Sequence, residues 1–223
     1  MMRPQYRDEV ILNDNSTDYY ENSLHSVIKR TLDITGSLVG LILLSPLFVI
    51  IAILIKLEDP KGSVLFYQTR IGKNEKPFRM YKFRSMVSNA EEKLKDLLAK
   101  NEIEGAMFKM KNDPRITKIG KFIRKTSIDE LPQLINVLRG DMSLVGPRPP
   151  LTREVAEYTA YDKLRLTVKP GCTGLWQVSG RNELSFKEMV ELDLKYIQNR
   201  SIGADLKIIF KTFRVLLGAK DAF

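Results

Sequence analysis

The sequence has 223 residues, a length that fits one domain, and a hydrophobic fraction of 43%, enough for a packed core. Its net charge of +9 favours phosphate-bearing partners such as nucleotides, nucleic acid or anionic lipid. The single cysteine, Cys172, excludes an internal disulfide, and the single histidine, His25, lies in a polar N-terminal segment where a surface role is expected. We therefore expect neither a Ser-His-Asp triad nor a usual zinc site, and any catalysis must use carboxylates, basic side chains and a hard metal ion.

The first 25 residues hold two arginines and five acidic residues, so the remainder of the chain carries a net charge of +12. An uncharged stretch of 22 residues follows at 34–55. As a straight helix it is about 33 Å long, enough to cross a hydrocarbon core of about 30 Å. Apolarity on every face favours a membrane helix over the alternative, a buried core helix.

Ser45-Pro46 lies at the midpoint of this stretch and predicts a break, because proline removes a backbone hydrogen bond and clashes with the preceding turn. Basic residues at both ends favour placing both on the cytoplasmic side of a membrane. They are Lys29, Arg30, Lys56 and Lys61. We predict a re-entrant helix-break-helix, and a single span with the acidic N-terminus outside is the alternative.

The remaining elements indicate a helix-rich α/β (α+β) fold with a small β-hairpin and amphipathic surface helices. VLFYQTRIG and KPFRMYKFRSM alternate apolar and polar residues around a turn, which predicts the hairpin. Helices are predicted over 89–100, 152–166 and 185–197, and a loop is predicted over 169–182. The basic amphipathic helix over 205–220 either docks on a membrane surface or packs on the domain.

Two adjacent carboxylates, Asp129 and Glu130, stand out between these elements. Ser127-x-x-Glu130 matches a capping box, which predicts a helix starting at Thr126 or Ser127. Capping and catalysis are compatible, since a helix N-terminus that keeps Asp129 ionised also stabilises a phosphoryl group attached to it.

Basic residues surround the acidic pair and predict contacts with phosphate oxygens. They are Lys121, Arg124, Lys125, Arg139 and Arg148, the last held in a rigid GPRPP segment. A carboxylate can attack phosphorus, and Mg²⁺ commonly accompanies diphosphate substrates. The sequence therefore predicts phosphoryl transfer at a membrane surface.

The chain resembles the bacterial sugar transferase family, the monotopic polyprenyl-phosphate phosphoglycosyl transferases, over about residues 26–223. The resemblance is carried by KRTLDITGSLVGLILLSPLF, YKFRSM, FKMKNDPRIT, IGKFIRKTSIDELPQLINVLRGDMSLVGPRP and KPGCTGLWQVSGRN, in family order. It implies three regions: a polar segment (1–25), a re-entrant membrane helix broken at Ser45-Pro46 (26–58) and a cytoplasmic catalytic domain (59–223). FKMKNDPR and GLWQVSGRN are more similar to the hexose-1-phosphate branch, with galactose or glucose as the sugar.

The resemblance also implies a reaction. Asp129 would attack the β-phosphate of a UDP-sugar, release UMP and carry a phosphosugar, which undecaprenyl phosphate would then accept. Glu130 is associated with Mg²⁺, and Arg124 and Arg148 match phosphate-binding arginines. Segments thought to line the nucleotide-sugar site supply further residues, namely Lys82, Arg84, Lys169, Gly174, Gln177 and Arg181.

The expected setting follows from the same resemblance. It is the cytoplasmic face of a bacterial inner membrane, at the first step of exopolysaccharide, O-antigen or glycoprotein glycan assembly. The expected partners are a UDP-sugar, undecaprenyl phosphate and the membrane, without nucleic acid, and a homodimer is left open. The competing hypothesis is a membrane-tethered protein that binds nucleic acid or serves as a scaffold; no recognised nucleic-acid motif supports it.

Overall fold

The structure is a computed structural model that describes residues 23–90, 92–93, 110, 113–180 and 184–218. The predicted helix over 89–100 lies almost wholly outside these residues, as do most of the N-terminal segment and Arg181. The helices are α1 (Ser23–Leu43), α2 (Ser45–Glu58), α3 (Lys118–Lys125), α4 (Gln133–Arg139), α5 (Thr152–Ala156), α6 (Ala160–Lys163), α7 (Phe186–Gln198) and α8 (Ile202–Gly218). The strands are β1 (Leu65–Ile71), β2 (Pro77–Phe83), β3 (Ser143–Val145) and β4 (Gly171–Thr173).

The predicted break in the apolar segment is confirmed. Helix α1 ends at Leu43, α2 starts at Ser45, and the two helices bend by 59°. The Ser45 hydroxyl donates a 2.8 Å hydrogen bond to the Ile42 carbonyl, which takes up one acceptor freed by the break. Within the described residues, no unbroken helix has the length and apolarity to cross a bilayer, and only the bent pair α1–α2 together meets those criteria.

Each apolar helix has one face on the domain and one face exposed. Ile51 and Ile55 of α2 pack with Phe83 of β2 and Ile123 of α3 in a buried cluster. The exposed face of the pair carries large apolar side chains along its whole length, including Leu38, Val39, Ile42, Leu43, Val49, Ile50, Ile53 and Leu57. Such an exposed apolar surface on a soluble domain indicates contact with a membrane or another protein.

Helix α1 is attached to the domain by a buried carboxylate. The Asp33 side chain accepts hydrogen bonds from the Ser143 hydroxyl at 3.0 Å and from the Leu144 backbone N–H at 2.9 Å. Lys29 of the same helix forms a 2.5 Å ion pair with Asp205 of α8. These polar contacts fix the orientation of α1, because rotating the helix would leave Asp33 buried and unpaired.

The predicted hairpin is confirmed. Strands β1 and β2 pair antiparallel, from Leu65 opposite Phe83 to Ile71 opposite Pro77. The Asn136 side chain of α4 holds the hairpin by accepting from the Tyr81 N–H at 3.0 Å and donating to the Arg79 carbonyl at 2.7 Å. This double contact places one face of β2, which includes Lys82, over the start of α4.

A second sheet appears where the sequence predicted only a loop. Strands β3 and β4 pair in parallel, with Ser143 opposite Gly171 and Val145 opposite Thr173. The pairing depends on glycine, because a β-carbon at Gly171 would lie 2.0 Å from the Gly146 nitrogen, and one at Gly146 would lie 2.6 Å from the Lys169 carbonyl. The close approach brings the GPRPP segment against the loop that follows β4.

The single helix predicted over 152–166 is wrong. The chain instead forms α5, a break, α6 and a 3₁₀ turn at Leu164–Thr167. The break occurs because Thr159 caps α6: its hydroxyl accepts from the Asp162 N–H, and the Asp162 carboxylate accepts from the Thr159 N–H. The helix predicted over 185–197 is confirmed as α7, which has the same kind of cap between Ser185 and Glu188.

Candidate active site

The two adjacent carboxylates lie in a 3₁₀ turn, Ile128–Glu130, between α3 and α4. The predicted capping box is wrong. Ser127 has a left-handed backbone (φ 56°), whereas an N-cap residue is extended, and its side chain makes no capping hydrogen bond. Helix α4 begins only after Pro132, at Gln133. The acidic pair is therefore held by tertiary contacts, and it precedes the helix instead of forming its first turn.

Glu130 faces the hairpin. Its Oε1 atom accepts a 2.6 Å hydrogen bond from Lys82 Nζ, and the Glu130 side chain is 43% exposed. Although burial favours protonation, the Lys82 ammonium and then the Arg148 and Arg70 guanidiniums hold the pKa of Glu130 below its usual value. Glu130 is thus an anion at neutral pH, as a metal ligand or a phosphate-adjacent carboxylate must be.

Asp129 is buried, with 8% of its surface exposed. Burial, assisted by the neighbouring Glu130 charge, outweighs the opposing effects of Lys82 and Arg124 and raises the pKa of Asp129 to about 6. The predicted helix N-terminus does not act on Asp129, because this carboxylate lies in the 3₁₀ turn before α4. An anion with little solvation and a raised pKa is a stronger nucleophile than an ordinary surface aspartate.

Arg124, predicted to bind phosphate, acts electrostatically on Asp129. It is half-buried near the end of α3 and donates from Nε to the Ser85 hydroxyl at 2.9 Å. Burial lowers the pKa of Arg124, and Asp129 is the strongest of the charges that oppose this effect. Of the four other cations predicted around the acidic pair, Lys121 and Lys125 are exposed on α3, and Arg139 donates to the Tyr81 hydroxyl. The fourth, Arg148, lines the pocket described next.

A small pocket opens beside Glu130 and collects several of the predicted residues. Its lining combines the strand residue Lys82, Arg148 from GPRPP and Gln177 from the loop after β4. Arg70, Met80, Gln133, Pro149, Gly171 and Cys172 complete the lining. The structure thus brings Glu130, Lys82, Arg148 and Gln177 together from four separate parts of the chain.

Sequence reasoning missed Arg70 as a site residue. It lies on β1, is 5% exposed, and donates from Nη1 to the Pro149 carbonyl at 3.1 Å and from Nη2 to Gln68 at 2.7 Å. Burial, reinforced by the Arg148 charge, lowers the pKa of Arg70 to about 10. Its Nε has no hydrogen-bond partner among the described residues. The alternation of β1 was the available signal, but an arginine in such a strand is ordinarily a solvated residue.

Three predicted residues lie elsewhere. Arg84 is buried against the loop after α2, where it donates to the Asp59 carboxylate at 3.2 Å and to the Asp59 carbonyl at 2.7 Å. Lys169 lines two other cavities and not the Glu130 pocket. Gly174 supports the pocket indirectly, since a β-carbon there would lie 2.4 Å from the Gly146 carbonyl and 3.2 Å from Gln177 Oε1. The role of Arg181 stays a prediction, as this residue is outside the described ranges.

The carboxylate oxygens near the acidic pair could hold a divalent cation only if a bound substrate supplied further oxygen ligands. The described residues contain no group of three or more His, Cys, Asp or Glu side chains that would cage a metal. Glu130 offers its second carboxylate oxygen, because Lys82 occupies the first. One or two carboxylates completed by water and substrate phosphate oxygens are a usual environment of Mg²⁺.

Comparison with known proteins finds relatives over most of the chain. The family model described as "Bacterial sugar transferase" matches residues 24–219. The chain is 53% identical over 209 residues to the galactosyl transferase CpsE of Streptococcus agalactiae, covering 92% of this chain and 46% of that protein. It is 48% identical over 200 residues to the undecaprenyl-phosphate galactose phosphotransferase of Salmonella typhimurium, covering 88% and 42%.

A shorter relative matches over most of both chains. The exopolysaccharide production protein ExoY of Rhizobium meliloti is 45% identical over 199 residues, which cover 87% of this chain and 88% of ExoY. Against CpsE and the Salmonella protein, in contrast, the chain spans less than half of the relative's length. The matched region includes every described element from α1 to α8, and the chain belongs to the bacterial sugar transferase family.

Proposed function

We propose that this protein transfers a hexose-1-phosphate from a UDP-sugar to undecaprenyl phosphate and releases UMP. The observation that carries the proposal is the buried Asp129 next to an ionised Glu130, whose pocket is also lined by Lys82, Arg70 and Arg148. A nucleophilic carboxylate next to a cluster of cations suits a reaction at a doubly charged diphosphate. The relatives' names, a galactosyl transferase and an undecaprenyl-phosphate galactose phosphotransferase, support the transfer of a sugar phosphate to a lipid phosphate.

In the first step, an Asp129 carboxylate oxygen attacks the β-phosphorus of the UDP-sugar. A bond forms between that oxygen and phosphorus, the bond from phosphorus to the oxygen bridging the two phosphates breaks, and UMP leaves with the bonding pair. With a pKa of about 6, Asp129 is ionised in roughly nine of ten molecules at pH 7. No general base is needed, since the nucleophile is already an anion.

In the second step, a phosphate oxygen of undecaprenyl phosphate attacks the same phosphorus. The acyl phosphate bond to Asp129 breaks, the carboxylate is regenerated, and the sugar phosphate becomes part of a lipid diphosphate. A carboxylate desolvated in the folded state is a competent leaving group as well as a nucleophile, because Arg124 and Lys82 stabilise its returning negative charge.

The basic residues of the pocket bind and orient the donor. Arg148 forms no ion pair within the described part of the chain and is available for bidentate contact with a phosphate. Arg70 fixes the segment that carries Arg148, through its bond to the Pro149 carbonyl. Glu130 would hold Mg²⁺ together with the diphosphate, and the ion would supply positive charge for the departing UMP.

The acidic pair is placed next to the proposed membrane helix. Ile128, the residue before Asp129, packs on the cluster formed by Ile51, Ile55, Phe83 and Ile123. A re-entrant α1–α2 pair, inserted from the cytoplasmic face of the inner membrane, would hold Asp129 near the interface. The phosphate of a polyprenyl carrier resides there, so this placement accounts for a soluble donor and a lipid acceptor meeting at one carboxylate.

The names of relatives support a choice of sugar and pathway. Three are named for galactose, one from Komagataeibacter xylinus for glucose, and one from Aeromonas hydrophila for N-acetylgalactosamine. We propose galactose or glucose as the transferred sugar and the start of exopolysaccharide or related glycan assembly as the role. Purified protein supplied with undecaprenyl phosphate, Mg²⁺ and a panel of UDP-sugars should release UMP with UDP-galactose or UDP-glucose. Absence of UMP release with every member of the panel would reject the proposal.

A further inference from the structure

A second, larger cavity lies at the start of α1. Its volume is about 450 Å³, and none of its lining residues also lines the Glu130 pocket. The lining includes five basic side chains, Lys29, Arg30, Lys73, Lys169 and Arg200, and one carboxylate, Asp33. The reaction proposed above uses none of these residues. The presence of five basic side chains in one cavity therefore suggests a second anion-binding site.

The cavity keeps an excess of positive charge after its internal contacts are counted. Lys29 is neutralised by Asp205, while Asp33 is committed to the Ser143 hydroxyl and the Leu144 N–H. Arg30 donates to the Val137 and Leu138 carbonyls at the end of α4 and has no carboxylate ion-pair partner among the described residues. The cavity is therefore electropositive.

Two of the cations converge at one spot. The end nitrogens of Arg30 and Lys169, which both line the cavity, lie 3.4 and 3.5 Å from the position of a β-carbon at Gly140, a residue of the adjoining cavity that Lys169 also lines. Partial burial, together with the Arg30 charge, lowers the pKa of Lys169. Arg200, which also lines the cavity, has a buried Nε without a hydrogen-bond partner among the described residues. An anion bound in the cavity would supply counter-charge to Arg30 and Lys169 and an acceptor for Arg200.

The position of the cavity identifies the kind of anion. Val27 lines it and is 60% exposed, and its neighbours Leu24 and Ile28 on α1 are also exposed. These residues begin the apolar surface that continues along α1 to Leu43. A molecule with its phosphate in the cavity would thus lay any attached hydrocarbon against α1. Basic pockets at the cytoplasmic end of membrane helices are typical sites for anionic lipid headgroups.

We infer that this cavity binds the phosphodiester headgroup of an anionic phospholipid, at a site separate from that of the polyprenyl acceptor. The inference rests on the membrane placement proposed above and not on the transfer chemistry. A bound headgroup would join α1 to β3 and α7 and so fix the domain's orientation at the bilayer surface. A nucleotide fits less well, because the one aromatic side chain of the lining, Tyr196, is buried and bonded through its hydroxyl to Val145 and Asp205.

The test uses the full chain in a neutral detergent and measures binding by native mass spectrometry. The probes are dihexanoylphosphatidylglycerol, dihexanoylphosphatidylcholine, inorganic phosphate and UDP. We expect phosphatidylglycerol to bind more tightly than phosphatidylcholine or phosphate. The double variant Lys169→Gln/Arg200→Gln should weaken phosphatidylglycerol binding by about tenfold or more. Lys187→Gln, an exposed lysine on α7 that lines none of the cavities described above, is the matched control and should bind as the parent does.

Other outcomes overturn the inference. Equal binding of both lipids, or of phosphate and phosphatidylglycerol, would show that no anionic lipid site exists here. Loss of UDP binding in the double variant, with phosphatidylglycerol unaffected, would make the cavity part of the nucleotide site. If the double variant unfolds in a thermal melt, Arg200→Gln alone provides the comparison, with a smaller expected loss of affinity. None of these readouts depends on turnover, so a failed transfer assay and a failed lipid site remain distinguishable.

Discussion

Lys82 Nζ lies 2.6 Å from Glu130 Oε1 and connects strand β2 of the hairpin to the 3₁₀ turn that carries the acidic pair. The same ammonium is the strongest of the charges that oppose protonation of Asp129. One side chain from the hairpin thus keeps both carboxylates anionic. The hairpin therefore contributes a charged side chain to the candidate site, and the first prediction concerns that side chain.

Lys82→Gln should slow transfer by about tenfold to a hundredfold, because both carboxylates become harder to ionise and a phosphate contact is lost. In a double-mutant cycle with Glu130→Gln, the combined loss should be smaller than the sum of the single losses. Rates of UMP release at saturating and limiting Mg²⁺ provide the measurement. Lys163→Gln breaks the exposed Lys163–Glu75 ion pair and should leave the rate unchanged. Strict additivity of Lys82 and Glu130 would contradict the coupling.

The raised pKa of Asp129 predicts a pH dependence of the reaction. Activity should fall as pH decreases through about 6, because protonation removes the nucleophile. The decline should appear in the first step, UMP release in the absence of acceptor. A rate constant that stays level between pH 5 and pH 8 would mean that Asp129 is not titrating in the reaction.

The same shift predicts a change in stability. A carboxyl whose folded-state pKa is raised stabilises the fold when protonated, and this contribution is lost as pH rises from about 4 through 6. Asp129→Asn should therefore increase the free energy of unfolding at pH 7 by about 2–3 kcal/mol and by much less at pH 4. Urea unfolding in detergent at both pH values measures this, with Asp141→Asn as the control. Equal effects at pH 4 and pH 7 would disagree with burial as the cause.

Arg70 should matter through its fork geometry as well as its charge. Arg70→Lys keeps the charge but cannot reproduce the contacts to both the Pro149 carbonyl and Gln68, so we expect the KM for the donor to rise by about tenfold. Arg79→Lys on β2, an exposed arginine above the Tyr67 ring, is the comparison and should retain the parent KM. If the Arg70→Lys protein kept the parent KM for the donor, Arg70 would contribute only its positive charge and not its two hydrogen bonds.

The topology of α1–α2 is tested without reference to catalysis. With Cys172 replaced by serine, Tyr20→Cys and Lys61→Cys each introduce a single thiol at one end of the bent pair. A re-entrant arrangement predicts that an impermeant reagent added to intact cells labels neither thiol and that permeabilised cells label both. Labelling of position 20 alone in intact cells would establish a span with its N-terminus outside.

Local sequence signals predicted some elements well, because their causes are local. Pro46 cannot continue the preceding helix, so α1 ends before it and Pro46 falls in the first turn of α2. The alternation around GKNEKP pairs β1 with β2. The arrangement of the site was not accessible in the same way. Glu130 meets Lys82, 48 residues earlier, and Arg70 meets Pro149, 79 residues later, so neither contact has a signature at short spacing.

The errors have related origins. Strands β3 and β4 have three residues each, too few to show an alternation, and they pair because glycines allow close backbone approach. The Ser127-x-x-Glu130 pattern matched a capping box, but Ser127 adopts a left-handed conformation and Glu130 bonds to Lys82. The tertiary ion pair took precedence over the local cap. The adjacent acids Asp129 and Glu130 correctly drew attention to this region, but they lie in a 3₁₀ turn and not in the predicted first turn of a helix.

The central claim is that Asp129 carries the sugar phosphate between donor and acceptor. Intact and peptide mass spectrometry of protein incubated with UDP-galactose or UDP-glucose and Mg²⁺, without undecaprenyl phosphate, tests it directly. The account predicts a mass gain of one hexose phosphate located on Asp129, its loss on adding undecaprenyl phosphate, and no gain in Asp129→Asn. A gain on another side chain, or normal turnover in Asp129→Asn, would contradict it.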